Sequence, residues 1–200
     1  MFFRRISVSL TTRMISAGVV KEEDRDVYQY SIEVVTALIV NIVSTFILFV
    51  VFGRLLEGII FFAVFSPLRT YSGGYHASTH LKCYLLSMAM MLIVIFCLSI
   101  ISESAYYMIS AVLGLFSTLI IFMFSPVEDK NRPLDEKEVK VYRKISLRVL
   151  AVEGLALILL LISHMEFYAL VVSLGLAVTA VSVIVAKLNQ LIRQRAGFEI

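Results

Sequence analysis

Charged side chains divide this chain into long apolar runs, and the lengths of those runs predict its architecture. Val34–Gly53, Cys83–Ser102 and Phe167–Ala186 each extend for twenty residues without a charge, and Ser104–Val127 for twenty-four. A bilayer core about 30 Å thick needs about 20 helical residues, so each run is long enough to cross one. Two further segments are interrupted once each. Val149–Met165 contains Glu153, and Leu55–Leu68 contains Glu57 and has Pro67 near its end. Counting both predicts six transmembrane helices, at about 34–53, 55–68, 83–102, 104–127, 149–165 and 167–186. The expected fold is an all-α polytopic membrane protein, a single integral membrane domain over residues 1–200, with 1–33 cytoplasmic or interfacial.

The N-terminal segment has its own pattern. Its longest uncharged runs, Ile6–Thr12 and Met14–Val20, are seven residues each and are separated by Arg13, too broken for the apolar region of a signal peptide. Phe3, Ile6, Leu10, Met14 and Ala17 follow helical spacing, with Arg4, Arg5, Ser9, Thr12, Arg13 and Ser16 mostly elsewhere. That pattern predicts an amphipathic helix lying on the inner leaflet, its arginines near anionic lipid headgroups.

The distribution of basic residues fixes an orientation. With six spans, five Lys/Arg precede the first span, two lie in 69–82, seven in 128–148 and three after residue 186, leaving only Arg54 on the other side. Seventeen against one places both termini, the 69–82 segment and the 128–148 loop in the cytoplasm by the positive-inside rule. Dropping the short 55–68 span would flip the later loops and remove this asymmetry. The charged stretch Glu128–Arg148 reads most simply as a solvated loop.

Composition narrows the classes further. The chain of 200 residues is 60% apolar and 16% charged, where soluble domains average about 45–50% and about 25%. This excludes a disordered protein, a basic nucleic-acid-binding domain and a disulfide-rich secreted fold. No nucleic acid is expected as a partner.

The segment Arg69–Cys83 carries the candidate chemistry. It holds two of the three His, one of the two Cys and the pair Gly73-Gly74. Cys and His form a nucleophile–base pair near neutral pH: the imidazole takes the thiol proton and the thiolate attacks a carbonyl. A helix beginning near Lys82 would add its N-terminal dipole in favour of the thiolate. In one helix over 76–83, His80 would neighbour Cys83 at i−3, while His76 would lie about 10.5 Å down the axis. In a looped segment His76 could fold back onto the sulfur. Spacing leans to His80 and leaves the choice open. A metal site from His76, His80 and Cys83 on one helix face is the competing reading, but no carboxylate lies between residues 58 and 102 to complete it. A structural reading also stands, in which His76, His80, Tyr71 and Tyr75 are interfacial side chains. Cys97 reads as an apolar filler in mid-span. On one continuous helix the two cysteines are about 21 Å apart, too far for a disulfide.

Other polar groups have weaker assignments. Arg69 could hold a substrate carboxylate or an anionic lipid, and Ser72, Gly73 and Gly74 could stabilise an oxyanion or simply form a turn. Asn41, Glu57 and Glu153 fall in or near spans. Asn41 or Glu57 could orient His76, with helix–helix hydrogen bonding as the plainer role.

The run Arg69-x3-Gly73-Gly74-Tyr75-His76-Ala77 followed by Cys83 resembles the signature of the accessory gene regulator B (AgrB) family. The stretch Ser125-Pro126-Val127-Glu128-Asp129-Lys130-Asn131-Arg132-Pro133-Leu134 is similar to that family's cytoplasmic loop. Members are membrane cysteine endopeptidases that process quorum-sensing precursor peptides in Gram-positive bacteria. The resemblance implies His76 as base and Cys83 as nucleophile, with His80 a bystander and 76–83 not a simple helix. It also implies an AgrD-like precursor signal peptide as substrate and a thioester on Cys83. A substrate Cys or Ser would then close a thiolactone or lactone ring. Homodimerisation is a family expectation. No metal and no cofactor is called for, and no Walker-type motif is present in the sequence. A peptide transporter or non-catalytic scaffold is the alternative. Against the transporter, Pro67 has no counterpart in the second half.

Overall fold

The protein is described from a computed structural model covering residues 2–75, 77, 79–128 and 135–195. Among these residues the architecture is all-helical, with α1 Phe2–Ser16, α2 Arg25–Val51, α3 Leu55–Ser72, α4 His80–Ile100, α5 Tyr106–Phe124, α6 Glu136–Ile162 and α7 Glu166–Arg195. Single 3-10 turns, Glu22–Asp24 and Glu103–Ala105, lead into α2 and α5. Five helices are long and apolar enough to cross a membrane, namely α2, α4, α5, α6 and α7. The short α3 is not among them. It carries Glu57, Pro67 and Arg69, and it runs past the proline to Ser72.

Several boundaries differ from the charge-free runs, because a helix does not stop where its apolar stretch stops. α2 begins at Arg25, where Arg25 pairs with Glu22 at 2.5 Å. The expectation of a solvated loop over Glu128–Arg148 holds for only part of it, since α6 starts at Glu136. Asp135 caps it: its carboxylate accepts the Glu138 N–H at 2.6 Å, while Glu138 accepts the Asp135 N–H at 3.2 Å. This reciprocal box satisfies two free donors and starts a helix among charged residues. Residues 129–134 of the loop lie outside the described residues.

The chain divides into two compact units, Met1–Leu48 with Ala77–Met91, and Phe49–His76 with Leu92–Ile200. In the first, the Arg25 guanidinium donates to Thr12 Oγ1 at 3.4 Å, and the Phe3 ring stands edge-on to His80 at 6.4 Å. The face of α1 that turns into the protein is separate from the apolar stripe expected to meet lipid. Ser7 and Thr11 are buried, whereas Leu10 is 43% exposed and Ala17 is exposed. Small hydroxyl side chains let helix backbones approach closely, which a Leu at that register would prevent.

The second unit is organised around α7, two-thirds of whose apolar stretch (67%) is buried. Val64 and Leu68 of α3, Ile121 of α5, and Leu150 and Leu157 of α6 pack against Ala169, Val172, Leu176 and Ala180 of α7. In lipid such packing rests on close van der Waals fit, because the tails are as apolar as the side chains. Gly175 supplies part of that fit: a Cβ there would sit 2.9 Å from Val64 Cγ1. Glu153 of α6 lies between Leu150 and Leu157 on this buried face, and its Oε2 has no hydrogen-bond partner among the described residues. An unpaired buried polar atom costs about 1–3 kcal/mol. Glu153→Leu, close in volume, is therefore expected to raise the thermal unfolding midpoint in detergent. A lowered midpoint would show that Glu153 makes a stabilising contact.

Candidate active site

Cys83 lies in the first turn of α4. The Cys83 N–H donates to the Thr79 carbonyl at 3.0 Å, and the Lys82 N–H to Thr79 Oγ1 at 3.3 Å. Thr79 is thus the cap that starts the helix, a role for which its hydroxyl is suited. Ala77 and Thr79 lie outside the helix, so 76–83 is not one helix. His80 and Cys83 are both on α4, so their i, i+3 neighbourhood holds and the choice of base is left open by spacing. His76 itself lies outside the described residues. Cys83 and Cys97 are both free thiols, half-buried, on one continuous α4. One turn before Cys83, His80 Nε2 stands 3.8 Å from Glu33 Oε1 of α2.

The second unit holds the remaining motif residues in a tightly bonded turn. α3 ends at Ser72, and the chain turns through Gly73 at φ +73° and Gly74 at φ +132°. Gly73 pairs with Val127 as an isolated bridge, and the Val127 N–H donates to the Ser72 carbonyl at 3.0 Å. A Cβ on Gly73 would overlap the Val127 carbonyl oxygen. A Cβ on Gly74 would sit 2.5 Å from Ser182 Oγ and 2.9 Å from the Arg69 guanidinium. Tyr75 is held at both of its backbone groups. Its N–H donates to the Ser182 carbonyl at 3.1 Å, and its carbonyl accepts from Arg69 Nη2 at 2.6 Å.

A chain of hydroxyls underlies the turn. Ser72 and Ser125 each lie within hydrogen-bond distance of Ser146 Oγ, at 2.8 and 2.7 Å, and all three are buried. Arg143 donates to the Ser125 carbonyl and lies 5.4 Å from the centroid of the Phe122 ring. The Tyr71 and Tyr142 rings meet edge to face at 5.6 Å.

The structure thus gathers Arg69, Ser72, Gly73 and Gly74 into one local arrangement. The Ser72 hydroxyl is spent on Ser146 inside the bundle, and one Arg69 donor is spent on a backbone carbonyl. Asn41 Nδ2 donates to Ser87 at 3.1 Å, the helix–helix role, and Glu57 pairs with Arg54 at 3.5 Å. Ser125, Arg143, Ser146 and Ser182 were not singled out for this turn from sequence. Scattered single serines and an arginine in a charged stretch give no periodic signal, because what joins them is tertiary.

Among the described residues, seven α-helices, five of them long and apolar enough to span a bilayer, define an all-helical multi-pass membrane protein. A family model described as accessory gene regulator B matches residues 7–185. The chain belongs to the AgrB family. It is 31% identical over 140 residues to an AgrB-like protein of Clostridium perfringens strain SM101, covering 65% of this chain and 64% of that one. A second AgrB-like protein, from Clostridium perfringens strain 13, is 32% identical over the same coverage. An AgrB-like protein of Listeria innocua is 27% identical over 162 residues, 76% of this chain and 78% of the relative. The match thus spans just under two thirds of the length of the Clostridium proteins. No solved structure matches.

The bonded turn makes a differential prediction for two glycines. Gly73→Ala adds a Cβ where backbone already sits and where φ is positive, a conformation costing non-glycine residues about 1–3 kcal/mol. Gly154 of α6 has nothing within 4 Å of an added Cβ, so Gly154→Ala should be neutral or stabilising by up to about 1 kcal/mol. Unfolding midpoints of the two variants in detergent should separate clearly. Equal midpoints would mean that the Gly73–Val127 contact is not formed in the protein.

Proposed function

We propose that this protein is a membrane-embedded cysteine endopeptidase that trims an AgrD-like precursor peptide and passes the retained segment into a cyclic signal. The observation that carries the reading is membership of the AgrB family over residues 7–185, with Cys83 in the capped first turn of α4. Membership of the AgrB family implies a role in quorum-sensing peptide processing. In this reading α3 is the sixth crossing, both termini and the active site face the cytoplasm, and the membrane is the plasma membrane of a Gram-positive bacterium. The seventeen-to-one division of basic residues supports that orientation.

The chemistry follows from the residue types. The His76 imidazole takes the Cys83 thiol proton, and the helix N-terminus favours the resulting anion. Sulfur attacks the scissile carbonyl carbon, the C–N bond breaks, and the imidazolium returns its proton to the departing amine. A thioester on Cys83 remains. A Cys thiol of the retained segment, deprotonated by the same imidazole, then attacks it. Carbon–sulfur bond is exchanged for carbon–sulfur bond, Cys83 leaves as thiolate, and a thiolactone ring closes; a Ser would close a lactone. Thioester exchange is nearly isoenergetic, so ring closure needs no nucleotide. Arg69, Ser72, Gly73 and Gly74 serve by holding the turn that leads to His76, and the amides of the glycine pair are the candidates for oxyanion contact. Inner-leaflet anionic lipid supports the precursor and α1 at the surface, and the protein acts as a homodimer.

Co-expression with a tagged precursor in bacterial membranes tests this. Cys83→Ser and His76→Ala are expected to abolish cleavage, and His80→Ala to retain it at a reduced rate. Cleavage by all variants would remove Cys83 as nucleophile and favour a transporter or scaffold. Loss with His80→Ala and retention with His76→Ala would move the base to His80.

A further inference from the structure

Within the first unit, three polar contacts tie the start of α4 to α2. His80 Nε2 meets Glu33 Oε1 at 3.8 Å, the Tyr84 hydroxyl donates to Ser44 Oγ at 3.2 Å, and Asn41 Nδ2 donates to Ser87 Oγ at 3.1 Å. Residues 80, 84 and 87 follow the spacing of one helix face. Cys83, three residues after His80 and four before Ser87, belongs to that face. The nucleophile candidate is therefore bracketed by two anchored side chains on its own face, and Phe3 of α1 closes on His80 from a third helix.

Such contacts are a modest source of stability. Polar side-chain bonds between membrane helices are individually weak. They are, however, directional. The His80–Glu33 contact and two hydrogen bonds, spread over two turns, fix the rotation and depth of α4 against α2 in a way that apolar packing does not. Thiolate attack is sensitive to just these coordinates, since a displacement of about 1 Å can cost on the order of 100-fold in rate.

We infer that Glu33, His80 and Asn41 form a clamp that presents Cys83 for attack, so that Glu33 and Asn41 are positioning residues of the peptidase acting through His80 and Ser87. The inference rests on the endopeptidase reading. On it, His80 is no spectator, although it takes no proton from the thiol. A purely structural seam would lower the amount of folded protein and leave the turnover of each folded molecule unchanged.

The test uses the full-length protein in phosphatidylglycerol-containing liposomes with the precursor peptide encoded beside it. Glu33→Ala and Asn41→Ala are measured against Leu38→Ala, which alters an exposed side chain of α2 (56% exposed). The clamp predicts that kcat per folded molecule falls about tenfold or more in the first two variants, with KM unchanged. Asn41→Ser, which keeps a group able to bond Ser87, should recover part of the loss. Leu38→Ala should match the parent. Unchanged kcat in both clamp variants would overturn the inference, as would losses in step with the folded fraction measured by thermal unfolding. Failure of the endopeptidase reading is seen separately, as cleavage persisting in Cys83→Ala.

Discussion

A helix can satisfy its own backbone, but a turn cannot, and the turn at residues 72–75 is largely enclosed by membrane helices, with Ser72 and Gly74 buried. Every backbone group left unpaired there would cost about as much as a lost hydrogen bond. The surrounding protein supplies the partners: the Val127 amide for Ser72, the Ser182 carbonyl for the Tyr75 amide, and Arg69 for the Tyr75 carbonyl. Those partners come from a loop after α5, from α7 and from α3 itself, so the turn forms only when these elements are assembled. The requirement for glycine follows from the same constraint, because Val127 and Ser182 approach too closely for any side chain on Gly73 or Gly74.

Packing in the second unit serves that assembly. α7 is enclosed by α3, α5 and α6, and small residues on the contact faces let the helices approach closely. Close approach brings the ends of α3 and α5 and the first turns of α6 near enough for Ser72, Ser125 and Ser146 to share one hydroxyl chain. Charged Arg143 donates to a carbonyl and stands over an aromatic face. In the first unit the same principle takes a different form, with polar side chains of α2 and α4 bonding each other beside Cys83.

How much of this was legible in the sequence depended on whether the signal was local. The apolar runs marked all five span-capable helices, since a helix of that composition needs no partner to be recognised. The Arg69–Cys83 segment stood out as a candidate for chemistry because His, Cys and paired glycines are sparse elsewhere in the chain. Helix starts were less so. Asp135 and Glu138 form a capping box that charge counting treated as loop, and Thr79 begins α4 before the apolar run does. The hydroxyl chain was not legible at all: Ser72, Ser125 and Ser146 come from distant parts of the chain, and serine is common in ordinary turns. The buried face of α1 was also not legible, since Ser7 and Thr11 give no apolar signal.

The central claim is that the retained part of a precursor peptide becomes covalently attached to Cys83 before it is released. Intact-protein mass spectrometry tests it directly, using purified protein in liposomes and a precursor whose ring-closing nucleophile is replaced by alanine. The account predicts an adduct with the mass of the retained segment, mapped to Cys83 by digestion and released by neutral hydroxylamine, as a thioester is. Removal of the precursor's tail with no adduct on Cys83, or with an adduct on another residue, would contradict it.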